Sequence, residues 1–152
     1  MPPDAERQKT DLIKKVIAES RKRLGKNAQK RFAGFLSTYF AQVPPQDILG
    51  KAPKMLFGLA HSHWKQAQAR TRRKPLVRVY NLDLKKDGWQ SDHTVIEIVN
   101  DDIPFLVDSV RMELTRRGYA IHTLQNSVQH QEHPTEHPAE HHTALRTPHR
   151  TV

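Results

Sequence analysis

The sequence predicts an α+β fold in which helices come first and a strand–strand–helix–strand unit follows. Three observations predict it. Apolar residues recur at spacings of three and four from the N-terminus to about Ala69, which is the signature of helices with one buried face. After Pro75 the pattern changes to short, β-branched runs separated by turn residues. After Val128 all periodicity stops, and the chain turns into HQEHPTEHPAEHHTALRTPHRTV. These changes divide it into a basic helix over 1–26, a helical segment with a basic linker over 27–74, a strand–helix unit over 75–128 and a disordered His/Pro-rich tail over 129–152.

The first helix runs from Asp4 to about Leu24, with Leu12, Ile13, Val16 and Ile17 as its apolar stripe, and Gly25 and Asn27 end it. A second spans about Ala28 to Ala41. Its face is Phe32, Phe35, Leu36, Tyr39, Phe40 and Val43, and Pro44-Pro45 closes it. Asp47-Ile48-Leu49 begins a short turn. Pro53 then suits the first position of a helix reaching Ala69, with the stripe Leu56, Leu59, Ala60, His63, Trp64 and Ala67. His61 and His63 are two apart and so lie on different sides of that helix, which argues against a shared metal; His63 is expected partly buried beside Trp64, and His61 in solvent.

Leu76–Leu82 and His93–Val99 read as two antiparallel strands joined by the loop 83–92 with its Asp87-Gly88 turn. The second strand has apolar residues on both faces, Val95 and Val99 against Ile96 and Ile98, as an interior strand requires. Glu97 is the exception. In 100–119 (NDDIPFLVDSVRMELTRRGY), Asn100, Asp101 and Asp102 offer capping side chains and Pro104 suits a first turn. Arg116 and Arg117 precede Gly118 at the other end. The expected buried stripe is Ile103, Leu106, Val107, Val110 and Leu114, with Glu113 and Arg117 pairing outside. Residues 119–128 return as a strand. The result is a βαβ unit, whose crossover should be right-handed.

Composition narrows the chemistry. The 152 residues contain no cysteine, which excludes disulfides, thiolate metal sites and a cysteine nucleophile. The hydrophobic fraction of 36% is low for a chain that buries all of itself, hence the expectation of tails. No run approaches a membrane span and Met1-Pro2-Pro3-Asp4 lacks a signal-peptide core, so a soluble cytoplasmic protein is the simplest expectation. The net charge of +9 is not spread evenly: residues 51–78 carry eight basic and no acidic side chains, whereas 79–128 carry five basic and eight acidic. A basic surface built for nucleic acid is therefore disfavoured, and the run Arg70–Lys74, with no interleaved aromatic residues, reads as a solvated linker.

His133, His137 and His141 repeat every four residues and imidazole is a good ligand for zinc, nickel or copper. Pro134 and Pro138 forbid the helix that would make them converge, so they are weak metal candidates on a low-complexity segment. Asp101, Asp102 and Asp108 already have a reason to exist at a helix start, and no nucleophile elbow accompanies Ser109 with His93 or His122. Trp89 and Tyr80 read as packing residues. The six glycines form no G-x-G-x-x-G and no phosphate loop, so no cofactor site is expected in this chain.

The run D-x-P-x-L-x-D with its following glycine and strand, here Asp102, Pro104, Leu106, Asp108, Gly118 and Ile121, resembles the opening of an ACT domain, a ferredoxin-like regulatory module. A longer stretch, about 30–128 and above all NDDIPFLVDSV, resembles the N-terminal region of the large bacterial NAD-specific glutamate dehydrogenases. That resemblance implies a regulatory or assembly role, with NAD and the conversion of glutamate to 2-oxoglutarate and ammonia belonging to a catalytic region not contained here. It also implies the catalytic remainder and a homo-oligomer as partners, and Asn100, Asp101, Asp102 and Phe105 as effector-binding candidates. Two departures follow from it. Phe105 stands where effector-binding ACT domains usually have glycine, and the expected strand beyond 128 gives way to the histidine-rich tail, so the ACT-like unit should be incomplete and the chain a truncated or out-of-frame fragment, inactive alone. The alternatives are a basic helical nucleic-acid-binding protein and a metal-binding protein acting through its histidine tail.

Overall fold

A computed structural model describes residues 3–71, 73–81, 93–129 and 140–148. The helical front consists of α1 (Pro3–Arg21), α2 (Lys26–Tyr39), the single turn α3 (Pro45–Ile48) and α4 (Pro53–Ala69). Proline stands at the start of α3 and of α4, where its missing N–H costs nothing. The expected faces converge. Val16 of α1, Phe32, Leu36, Tyr39 and Phe40 of α2 or its end, and Leu56 and Ala60 of α4 are all buried in one cluster. Its centre is aromatic: the Phe32 ring meets Phe57 at 5.5 Å and Trp64 at 5.3 Å, both edge-on, the geometry that ring quadrupoles favour. Lys9 is drawn into this assembly rather than left in solvent. Its Nζ donates to the carbonyls of Val43 (2.7 Å) and Ala41 (3.1 Å), groups beyond the end of α2 that the helix itself cannot satisfy.

The remaining elements are β1 (Leu76–Asn81), β2 (His93–Asp101), α5 (Leu106–Arg116), β3 (Thr123–Gln129) and β4 (Glu140–Pro148). β1 and β2 pair antiparallel, Leu76 opposite Val99 and Asn81 opposite Thr94. Val95 and Val99 are buried on one side of β2 and Ile98 on the other, as the two-faced pattern requires. α4 is the joint between layers: its Leu59 packs with Val95, Met55 and Tyr80, while its Leu56, Phe57 and Trp64 belong to the aromatic cluster.

Three expectations are revised. The first concerns the tail. Residues 140–148 form β4, which pairs with β2 from His93 opposite Pro148 to Asp101 opposite Glu140, and with β3 from Thr123 opposite Arg146 to Gln129 opposite Glu140. The sheet order is β1-β2-β4-β3. The α+β class therefore holds, but the strand expected to be missing is supplied by the segment expected to be disordered, because β2 and β3 each leave an edge of backbone donors and acceptors that an intervening strand satisfies. Begun at β2 and closed with α4–β1, the elements spell β-α-β-β-α-β, the split βαβ order with its last helix and strand supplied from the N-terminal side.

The second concerns the start of α5. Asn100 and Asp101 are the last residues of β2 and not helix caps, because their backbone belongs to the sheet ladder. The N-cap position is Phe105, in the left-handed region at φ 62° and without a side-chain cap. The helix ends as predicted: Gly118 adopts φ 81°, its N–H reaches the Thr115 carbonyl (2.9 Å), and the Tyr119 N–H reaches Leu114 (3.0 Å), the paired bonds of a Schellman motif. Glu113 accepts from Arg117 Nε (2.6 Å), the expected pair, and also from Arg116. The third concerns the stripe. No residue of α5 is buried; Leu106, Val107, Val110 and Leu114 are half-buried and Ile103 is exposed.

Candidate functional site

Polar groups collect in two places, one along the α4–sheet joint and one in the turn that leads from β2 into α5. At the joint, Glu97 is fully buried because β2 turns it towards α4, on the same side as Val95 and Val99. Its Oε1 accepts from the Tyr80 hydroxyl at 2.6 Å, and its Oε2 accepts from the Ser62 hydroxyl of α4 at 3.4 Å. Arg78 Nη1 donates to Ser62 Oγ (2.8 Å) and lies 3.9 Å from Glu97 Oε2, while its guanidinium sits 4.0 Å above the Tyr80 ring. Arg78 and Tyr80 alternate inward with outward-facing Val77 and Val79, so the strand period places both on Glu97. Burial, reinforced by the Glu97 charge and hydrogen bond, raises the Tyr80 hydroxyl above its ordinary range. Tyr80 thus does more than fill space: it satisfies a buried carboxylate.

One residue along α4, His63 is also fully buried. Its Nε2 lies 3.3 Å from the Ile98 carbonyl of β2 and its Nδ1 3.1 Å from the Tyr39 hydroxyl of α2. A carbonyl only accepts, so Nε2 carries the proton and Nδ1 accepts from Tyr39. Burial holds this imidazole down to about 4, the Ile98 carbonyl offsetting part of that. His61, expected in solvent, is instead half-buried and stacked on Phe57 at 5.1 Å. Arg70 departs from the expected solvated linker as well. Its side chain is 1% exposed, with Nη2 at 2.7 Å from Asp101 and Nε donating to the Lys74 carbonyl, so it ties the end of α4 to the end of β2.

The turn holds the four effector candidates together. Asn100 is half-buried and Asp101 is held by Arg70, whereas Asp102 and Phe105 are exposed, Phe105 at 76%. Among the metal candidates, His141 occupies a register position in β4 opposite Asn100 and Val128, and His133 and His137 lie outside the described residues, as does Trp89. No group of three or more His, Asp or Glu suited to a metal ion occurs among the described residues, and no helix among them is long and apolar enough to cross a membrane. Sequence reasoning missed the Glu97 cluster; the signal was there, since a carboxylate on the buried face of an interior strand needs partners, and Arg78 and Tyr80 are the inward residues of the neighbouring strand.

The strand order and the exposed turn between β2 and α5 define a small ACT-like module of the split βαβ kind, carried on a helical front. A family profile described as "Glutamate dehydrogenase, ACT1 domain" matches residues 35–146, and the chain belongs to that family. It is 41% identical over 120 residues to an NAD-specific glutamate dehydrogenase of Pseudomonas aeruginosa, and 38% identical over 123 residues to one of Halomonas elongata. Those matches cover 79% and 81% of this chain but 7% and 8% of the relatives, so it spans less than a tenth of their length. The matched region extends past Val128 and includes most of β4, so the histidine-rich segment is not where the likeness stops. No solved structure matches the chain.

Proposed function

We propose that this chain is an N-terminal regulatory and assembly segment of an NAD-specific glutamate dehydrogenase, without catalytic activity of its own. The observation that carries this reading is the family match through nearly the whole strand–helix unit, combined with relatives whose names state the activity. In the parent reaction glutamate is oxidised by NAD to 2-oxoglutarate and ammonia. NAD and the reacting carbons belong to the catalytic region, and this segment acts on that region in the cytoplasm through subunit contacts and through a small effector. The effector meets the turn 100–105: Asp102 is an exposed carboxylate of the sign that an ammonium group prefers, Asn100 offers an amide, and Phe105 closes the site with an apolar wall. Asp101, already engaged by Arg70, acts as the post that fixes the turn.

The reading is tested by adding this chain to a relative's dehydrogenase from which the corresponding N-terminal residues have been removed. Recovery of its assembly state or of its response to amino acids is expected. No change in either, or glutamate oxidation by this chain alone, would overturn the proposal.

A further inference from the structure

His93 opens β2, at the point where β2 pairs with Pro148 of β4. His122 immediately precedes β3, whose first residue pairs with Arg146 of β4. β4 thus separates the strand that His93 opens from the strand that His122 leads into, yet at this end of the sheet their rings meet, with centroids 4.7 Å apart and planes inclined at 76°. Zinc–imidazole bonds of about 2.0–2.1 Å put a ring centre about 3.2 Å from the ion, so two imidazoles on adjacent coordination positions have centres about 4.5–5.2 Å apart. The observed separation falls inside that interval. His122 is exposed and His93 half-buried, so an ion can reach both from solvent and keep water in its remaining positions.

The geometry points to His93 and His122 as a two-imidazole site for a borderline transition-metal cation, zinc, nickel or copper being the class that imidazole prefers. A cation there clips the start of β2 to the start of β3 across the end of β4. It is a different site from His141 of the tail. His141 stands opposite Asn100, at the far end of β2 from His93, roughly 23 Å along the strand at about 3.3 Å per residue. Two protein ligands also set the affinity class: the ion is exchangeable, well short of a closed four-ligand structural site.

The test uses the full chain and zinc chloride. In the unsubstituted protein, the ring nitrogen resonances of His93 and His122 should shift together as the first equivalent of zinc is added. In the variant H133A/H137A/H141A, calorimetry should still detect one zinc site, and adding His122→Ala should weaken it at least tenfold. His122 is an exposed residue outside the strands, and an unchanged circular dichroism spectrum and melting temperature certify that H122A folds. The proposal is overturned if the two imidazoles do not shift with zinc in the unsubstituted chain, or if zinc affinity in the tail variant is absent or unaffected by H122A.

Discussion

α2 and α5 are both short amphipathic helices with apolar residues three and four apart, but their fates differ. In α2 the stripe is buried to the last ring, Phe32 and Leu36 fully and Tyr39 almost so. In α5 the corresponding stripe reaches only half burial, and Met112 on the same helix is 71% exposed. The difference teaches that periodicity specifies a face and says nothing of what covers it. α2 meets its cover because α1 and α4 carry complementary stripes and short connections return them to it. α5 is connected only to two strands, and its best-satisfied groups are polar: Glu113 with Arg116 and Arg117, and the Gly118 motif at its end.

The sharpest way to test that contrast is to remove the central ring of the front. Phe32→Ala should cost about 3–5 kcal/mol, because the ring is fully buried and meets Phe57 and Trp64 edge-on, so its removal leaves a cavity at the centre of the cluster. Urea denaturation followed by tryptophan fluorescence measures it. A loss below 1 kcal/mol would mean that the front does not depend on its aromatic cluster.

Next in size is the pH response of the α4–sheet joint. His63 is held near 4 when folded, against 6.5 when unfolded, so the unfolded chain binds the extra proton first as pH falls. Its contribution to stability is fully present above about 6.5 and is lost progressively as pH falls towards about 4. The loss is about 3 kcal/mol at 1.36 kcal/mol per unit. Denaturation midpoints measured across that window should decline, and His63→Gln should flatten the decline. A slope identical in both proteins would place the acid sensitivity elsewhere.

These two sites also show what was legible in the sequence. The faces of α1, α2 and α4 and the Gly118 stop follow from spacing and residue type, since each is decided within one or two turns of chain, and the antiparallel pairing of β1 with β2 follows from two short runs flanking a turn. β4 was not legible, because a strand that bridges β2 and β3 answers to their unpaired backbone edges and not to its own composition of histidine, threonine and proline. The Glu97 cluster was half legible: the anomaly was visible, but its partner Ser62 lies on another element 35 residues away. The start of α5 was legible only in part: Asn100 and Asp101 read as helix caps, whereas the ladder of β2 still runs through them.

Phe105 gives a smaller effect of opposite sign. A non-glycine residue at φ 62° costs about 1–2 kcal/mol. Glycine would relieve that cost and give back about 0.5–1 kcal/mol in chain entropy. Phe105→Gly should therefore stabilise the protein by roughly 0.5 kcal/mol, the side chain being too exposed to be missed. A destabilisation beyond 1 kcal/mol would show that Phe105 packs on something that its exposure conceals.

The smallest effect is the one that defines the contrast. Met112 is apolar, helical and exposed, so Met112→Ser removes almost no buried surface and should change stability by less than about 0.5 kcal/mol. The comparison with Phe32→Ala contrasts a ring on a covered stripe with a side chain on the outward side of α5, opposite Leu106, Val110 and Leu114. If α5 gains a cover in the assembled dehydrogenase, as the proposed role requires, the same substitution should weaken assembly by far more than it weakens folding. Measuring both quantities on one variant separates a helix that is merely exposed from one that is waiting for its partner.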